Sequence, residues 1–466
     1  MADTDIAYLT LVDLAARLAR RDISSTEATQ AQLARIAALE PRLHAYVLAT
    51  GDSALAEAKT ADAEIAAGRH RGLLHGVPVA VKDLCDLTGT ATTAGMPLRS
   101  AHRATSDATV VARLRAAGAV ILGKLQMTEG AYGAHHPDVV APVNPGNAAY
   151  WTGVSSSGSG VATAAGMCFA SLGSDTGGSI RFPSTMNGLT GLKPTWGRVS
   201  RAGVFSLGES LDHIGPMTRS AADCAAVLGA IAGADPRDPT ASPVAVPDYL
   251  GTIGAGVRGL RIGLDRRLYE TATDADSRAA IEHAASVLTA AGATIVDLSL
   301  PMTLDVAKGW IPMCAAEAAV AHEATFPARA AEYGPVLTGM LRLGRTMNAL
   351  DMVKLDLMRA RLRGEMALVF EQVDLLLTPV MHVAAASLED MAPARRTPET
   401  VAARQRFSAA TDMTGHPALT LPGGFTAAGM PVGFQITGRH FDEAAVLRAG
   451  HAFQSATDWH RKHPVL

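Results

Sequence analysis

Three short segments carry side chains able to do chemistry together. In Gly76-Val-Pro-Val-Ala-Val-Lys82-Asp83 a lysine ends an apolar, strand-like run. Strand-end lysines are ordinarily solvated. One held away from water gives up its proton instead, because desolvation disfavours the ammonium and leaves a neutral amine to act as a base. A second segment, Gly153-Val-Ser155-Ser156-Ser157-Gly158-Ser159-Gly160, runs straight into the apolar stretch Val161–Leu172. A flexible linker does not continue into a helix-like apolar segment, so a turn packed close to something small is the better reading. The third, Gly173-Ser-Asp-Thr-Gly-Gly-Ser179-Ile-Arg181-Phe-Pro183, sets Ser179 directly after paired glycines. Consecutive glycines let backbone N–H groups converge on one point, and a nucleophile beside such donors is what acyl transfer requires. Taken alone, that segment reads equally as a tight turn.

Other motifs lack the chemistry they mimic. Gly118-Ala-Val-Ile-Leu-Gly-Lys124 begins like a phosphate-binding loop, but its inner residues are apolar strand formers and Leu125 follows the lysine. A phosphate cradle needs turn residues with outward amides, so a buried strand is predicted there. His135 and His136 are adjacent and cannot share one face, which reads as loop histidines rather than metal ligands. No metal and no cofactor is expected.

The elements that must position these residues read as an α/β protein. Helices are predicted through residues 10–67, including Thr26–Leu39 capped by Ser24 or Ser25, and Asp52–Ala67 ending at Gly68. Val77–Val81 reads as the first core strand, Thr109–Ala117 as a helix stopped by Gly118, and Ala119–Leu122 as a buried strand. Residues 144–216 form a glycine- and serine-rich centre with short apolar pieces between turns, and 235–258 a proline-marked surface connection. Beyond it, Leu260–Leu264 reads as a strand, Asp276–Ala291 as a helix and 350–372 as a long amphipathic helix. Leu375–Pro379 and Ala418–Pro422 read as core strands, each ended by proline. Continuous apolar strands alternating with helices call for a sheet covered on both faces.

Composition narrows the class further. The 466 residues are 48% hydrophobic and 18% charged, with a net charge of −3, which excludes general disorder and gives no footprint for nucleic acid or acidic membrane. Cys85, Cys168, Cys224 and Cys314 are too far apart for a disulfide scaffold or zinc knuckle. The opening MADTDIAYLT lacks a secretory pattern and no uncharged apolar run reaches membrane length, so a cytoplasmic protein is expected. Only 7 of the 41 basic residues are lysines, so few positions qualify as a lysine base.

Together the three segments, with Lys82, Ser155 and Ser179 in that order, resemble the amidase signature family of Ser–cis-Ser–Lys hydrolases. Gly191-Leu-Lys-Pro-Thr195, Gly197-Arg-Val-Ser200 and Leu211-Asp-His-Ile-Gly-Pro-Met-Thr218 extend the likeness. It covers roughly 10–240 and 374–458. The resemblance implies one α/β domain over 1–466 on a large mixed β-sheet with helices on both faces. Its parts would be N-terminal helices (about 5–67), a signature core (about 72–235), a variable substrate-side region (about 245–370) and a C-terminal core return (about 374–458).

The resemblance also implies roles. Ser179 would form an acyl-enzyme, Ser155 would relay its proton to neutral Lys82, and the amides of Thr176, Gly177, Gly178 and Ser179 would form the oxyanion hole. Ser156 would support the Lys82–Ser155 hydrogen bonding, and Asp175 and Arg181 would brace the site. Met127, Tyr132, Trp310 and Met313 are substrate-wall candidates, although core packing suits such residues equally. Val154 stands where the family usually has glycine, and Ser157 where glycine is commoner. The implied activity is hydrolysis of a small linear carboxamide, with no nucleic-acid or membrane partner and a homodimer as the family's suggestion. The alternative is the glutaminase subunit of a tRNA-dependent amidotransferase; a catalytically dead binding protein on the same scaffold is the poorest fit, since all three side chains are present.

Overall fold

In the computed structural model, residues 6–392 and 395–466 are described; Met1–Asp5, part of the stretch read for a leader, lie outside them. Local signals set the first elements. Ser24 caps the helix Ser25–Leu43 in a reciprocal box with Glu27, and the helix Gly51–Ala66 gives way to Gly68 in the left-handed region. Between these helices lies a strand that helical periodicity hid. Only its first residue is buried, so it lacks the apolar alternation of a core strand.

The strands are β1 (Tyr46–Ala49), β2 (Pro78–Lys82), β3 (Val120–Leu125), β4 (Ala170–Asp175), β5 (Thr190–Lys193), β6 (His213–Thr218), β7 (Arg261–Leu264), β8 (Thr294–Asp297), β9 (Leu375–Pro379), β10 (Ala418–Phe425) and β11 (Pro431–Gly438). They form one sheet in the order β1-β3-β2-β4-β6-β5-β10-β11-β9-β7-β8. The sheet is mixed: β2 runs parallel to β3 and β4, and β7 to β8 and β9, while the centre from β4 through β6, β5, β10 and β11 to β9 is antiparallel. Every residue of β2, β3, β4, β5, β6, β9 and β11 is buried, whereas the edge strands β1 and β8 are largely open. Strands buried throughout need cover on both faces, and helices supply it.

The centre, 144–216, sets the helices Ser157–Ala164 and Arg181–Met186, with β4, β5 and most of β6, between turns and loops. Its glycines and serines serve close packing. A Cβ at Gly158 would stand 2.4 Å from the Ala45 carbonyl oxygen, so the helix touches the neighbouring backbone only because that atom is missing. One expectation changes: β10 does not stop at Pro422 but continues to Phe425 through a register shift between Pro422 and Gly424, a bulge that tolerates the missing N–H. The surface connection also contains a short helix, Tyr249–Ile253, anchored by buried Tyr249.

Candidate active site

β2 delivers Lys82 to the sheet interior as its last residue, with none of its surface exposed. Its neighbour β4 runs parallel in register Val81 to Leu172, which brings Ser174 alongside. Lys82 Nζ donates to Ser155 Oγ at 2.7 Å and to Ser174 Oγ at 2.8 Å. Burial drives Lys82 down from 10.5 to about 7, against the opposing pull of Asp212, Cys85 and Asp175. With no carboxylate in hydrogen-bond contact, desolvation wins. A neutral amine keeps two N–H donors and a lone pair, enough to hold both hydroxyls and still accept a proton.

Ser155 lies just before the helix Ser157–Ala164, and the Val154–Ser155 peptide is cis, with the β-branched residue in place. Ser155's carbonyl accepts from Thr128 N at 3.2 Å, and Ser156 N donates to the Ser179 carbonyl at 3.3 Å, joining the two serine segments through backbone. Ser156 reaches Lys82 only indirectly: its hydroxyl donates to the Ser174 carbonyl (3.2 Å) and accepts from Ser174 N (3.3 Å). Ser174, absent from the expected set, is Lys82's second partner. No hydrogen bond joins the Ser155 and Ser179 hydroxyls among the described residues. Ser179 itself is half-open while the residues on either side are buried, as a hydroxyl meeting substrate must be.

Asp175 organises the turn beyond β4. Its carboxylate accepts from Gly178 N (2.6 Å), Ile180 N (3.0 Å) and Arg181 N (3.3 Å), and from the Arg181 guanidinium at 2.9 and 3.0 Å. Burial alone would raise Asp175, but Arg181 and Lys193 outweigh it and hold the carboxyl well below its usual range. This corrects one expectation. Gly178's N–H is turned to Asp175, so the free amides of the expected four are those of Thr176, Gly177 and Ser179, which have no protein acceptor among the described residues. Thr176 Oγ1 is tied to Asp212 at 2.5 Å, and Trp310 Nε1 donates to the Thr176 carbonyl at 2.7 Å.

All four wall candidates, Met127, Tyr132, Trp310 and Met313, are buried in the main core. Trp310 fixes the Thr176 backbone, and Tyr132 lies under the Arg396 guanidinium, 4.9 Å from its ring centre. Gln405, unmarked by any local motif, lies against Gly177 with its amide oxygen buried and unpartnered. Cys85 is buried, with its thiol pushed up to about 12 by burial, and all four cysteines are free.

A desolvated lysine, serines beside it and amides without a protein acceptor next to a partly open hydroxyl, all on a mixed sheet, bring together groups able to do acyl transfer. The Amidase family model matches residues 27–447, and the chain belongs to that family. It is a hydrolase of carbon–nitrogen bonds other than peptide bonds. A Mycobacterium tuberculosis (strain ATCC 25618 / H37Rv) protein, AmiD, provisionally assigned as an amidase, is 47% identical over 99% of this chain and 97% of its own length. The glutamyl-tRNA(Gln) amidotransferase subunit of Chloroflexus aurantiacus (strain ATCC 29366 / DSM 635 / J-10-fl) is 38% identical, covering 99% of each chain. The solved peptide amidase of Stenotrophomonas maltophilia superposes with a TM-score of 0.84 at 33% identity, covering 98% of each chain. No helix among the described residues is long and apolar enough to cross a membrane.

Proposed function

We propose that the chain hydrolyses a small linear carboxamide to a carboxylate and ammonia or an amine, through an acyl-enzyme on Ser179. The observation that carries this reading is the fully buried Lys82 amine, 2.7 Å from Ser155 Oγ and shifted to about 7. Ser179 Oγ attacks the amide carbon as its proton passes to Ser155, whose own proton passes to Lys82. The C=O π pair moves onto oxygen, and the Thr176, Gly177 and Ser179 amides stabilise that charge as it forms. Collapse breaks the C–N bond while Lys82 returns its proton through Ser155 to the leaving nitrogen. Water then repeats the sequence on the ester and frees the acid.

Ser179→Ala is expected to abolish ammonia release and labelling by a fluorophosphonate probe. Wild-type protein that neither labels at Ser179 nor releases ammonia from any amide sinks the reading. A second reading, a glutaminase component feeding ammonia to an amidotransferase, draws on the 38% identity, along the whole chain, to the Chloroflexus amidotransferase subunit. Turnover confined to glutamine, with co-purifying subunits, would favour it.

A further inference from the structure

A cavity of about 350 Å³ has Trp151, His382, Arg396 and Arg404 among its walls. Its charges do not balance. Arg395, at the rim, pairs with Glu389 at 2.6 Å and Asp390 at 3.4 Å. Asp390 is further engaged by the Ser387 hydroxyl at 2.6 Å and amide at 3.2 Å. Arg396 and Arg404 have no carboxylate within ion-pair distance among the described residues. The Arg396 guanidinium covers the Tyr132 ring and presses on Gly133. That of Arg404 stands 5.6 Å over Trp151, and among the described residues its only hydrogen-bond partner is the Met391 sulfur (3.8 Å), with Nε buried and unpartnered. His382 Nδ1 is likewise buried without a partner.

Such an arrangement costs the free protein. Burial, with Arg396 next in size, pushes Arg404 down to about 10; burial and Arg404 lower His382 against the opposing pull of Asp274 and Asp390. A planar anion with two oxygens could meet two N–H groups of one guanidinium fork at once. Lys82, Ser155 and Ser179 do not line the cavity; Trp151 connects it to their segments. Trp151 packs in one apolar cluster with Val154, which precedes Ser155, and Phe182, three residues after Ser179.

We propose that this cavity binds a carboxylate at the far end of the substrate, with Arg404 and Arg396 as its binding residues. The preferred substrate class is then a linear amide ending in a carboxylate, such as the monoamide of a dicarboxylic acid. The proposal rests on the reading of Ser179 as nucleophile.

The test measures ammonia release by the full chain from monoamides of dicarboxylic acids in graded chain lengths, each against a neutral alkyl amide of matched length. The best carboxylate is expected to exceed its neutral match in kcat/KM by about ten- to hundredfold, the range of a charge-assisted hydrogen bond. In Arg404→Gln that preference ratio should fall at least about tenfold, chiefly through KM, while Arg404→Lys keeps part of it. Calorimetry of the dicarboxylate product on wild-type protein gives a second readout should Arg404→Gln fail to fold, and binding is expected. Equal or better turnover of neutral amides, an undiminished ratio in Arg404→Gln, or no product binding overturns the proposal. Ser179 labelling without turnover of any carboxylated amide also overturns it. Absent labelling together with absent turnover instead removes the reading it rests on.

Discussion

At the scale of single residues, the proposed chemistry depends on a lysine that is cheaper to leave neutral than to charge. Two lysines meet that condition, since burial also lowers Lys193 to about 7, although its amine donates to the carbonyls of Pro194 and His416 rather than to hydroxyls. Only Lys82 touches the serines, so only its titration should appear in turnover. A base with a lowered pKa is unprotonated above that value and lost as pH falls through it. We therefore expect kcat/KM to hold level above about pH 7 and to fall about tenfold per unit below it. Lys193→Met should keep that acid limb, while Lys82→Ala should lower kcat by several orders of magnitude with the fold intact. A limb near the ordinary lysine value in the pH–rate profile would remove Lys82 as the base.

At the scale of elements, the turn between β4 and the helix Arg181–Met186 aims its amides in two directions. Gly178, Ile180 and Arg181 point to Asp175, while Thr176, Gly177 and Ser179 have no protein acceptor among the described residues. Gly178 makes this possible: its φ is +122° and a Cβ would stand 2.4 Å from the Phe182 ring. Gly178→Ala should therefore lower kcat by about a hundredfold or more, as losing an oxyanion donor does, with circular dichroism unchanged. Near-normal kcat would show that the turn does not set those donors. The same turn marks what could be read in advance. Lys82, Ser155 and Ser179 announce themselves because each lies in a short segment whose neighbours declare a strand end or a glycine turn. Ser174 does not, because choosing it over Ser156 requires the β2–β4 register, which pairs residues about 90 positions apart. Gln405 and Arg404 come from a helix whose local sequence carries no sign of what it faces. Strand β1 was illegible for the opposite reason: with Val47 and Leu48 exposed, it has no buried face to betray it.

At the scale of the molecule, the sheet joins strands from residue 46 to residue 438, and one buried ionic group ties its two halves at the site. Arg181 bonds Asp175 six residues away at 2.9 Å and Asp412 231 residues away at 2.7 Å, with all three side chains fully buried. The long link spans more of the fold, yet the electrostatics rank the pair the other way. Burial raises both carboxyls; Arg181 overcomes it at Asp175, whereas burial and repulsion by Asp175 leave Asp412 pushed well above its usual value. Asp175, whose carboxylate accepts five N–H groups, is therefore expected to carry the balancing charge, with Asp412 the more readily protonated of the two. Asp412→Asn, which keeps that shape, should cost less than about 1 kcal/mol. Asp175→Asn leaves a buried guanidinium uncompensated and should cost about 3 kcal/mol or more. It should also silence Ser179 labelling, because the Gly178 and Ile180 amides lose their charged acceptor. Because Asp175's folded pKa lies below its unfolded one, its contribution is present above the ordinary carboxylate range and lost as pH falls below it. The stability gap between wild type and Asp175→Asn should therefore narrow in acid. Urea midpoints for both variants at neutral and acidic pH decide the matter, and the reverse order of the two costs would assign the charge balance to Asp412 instead.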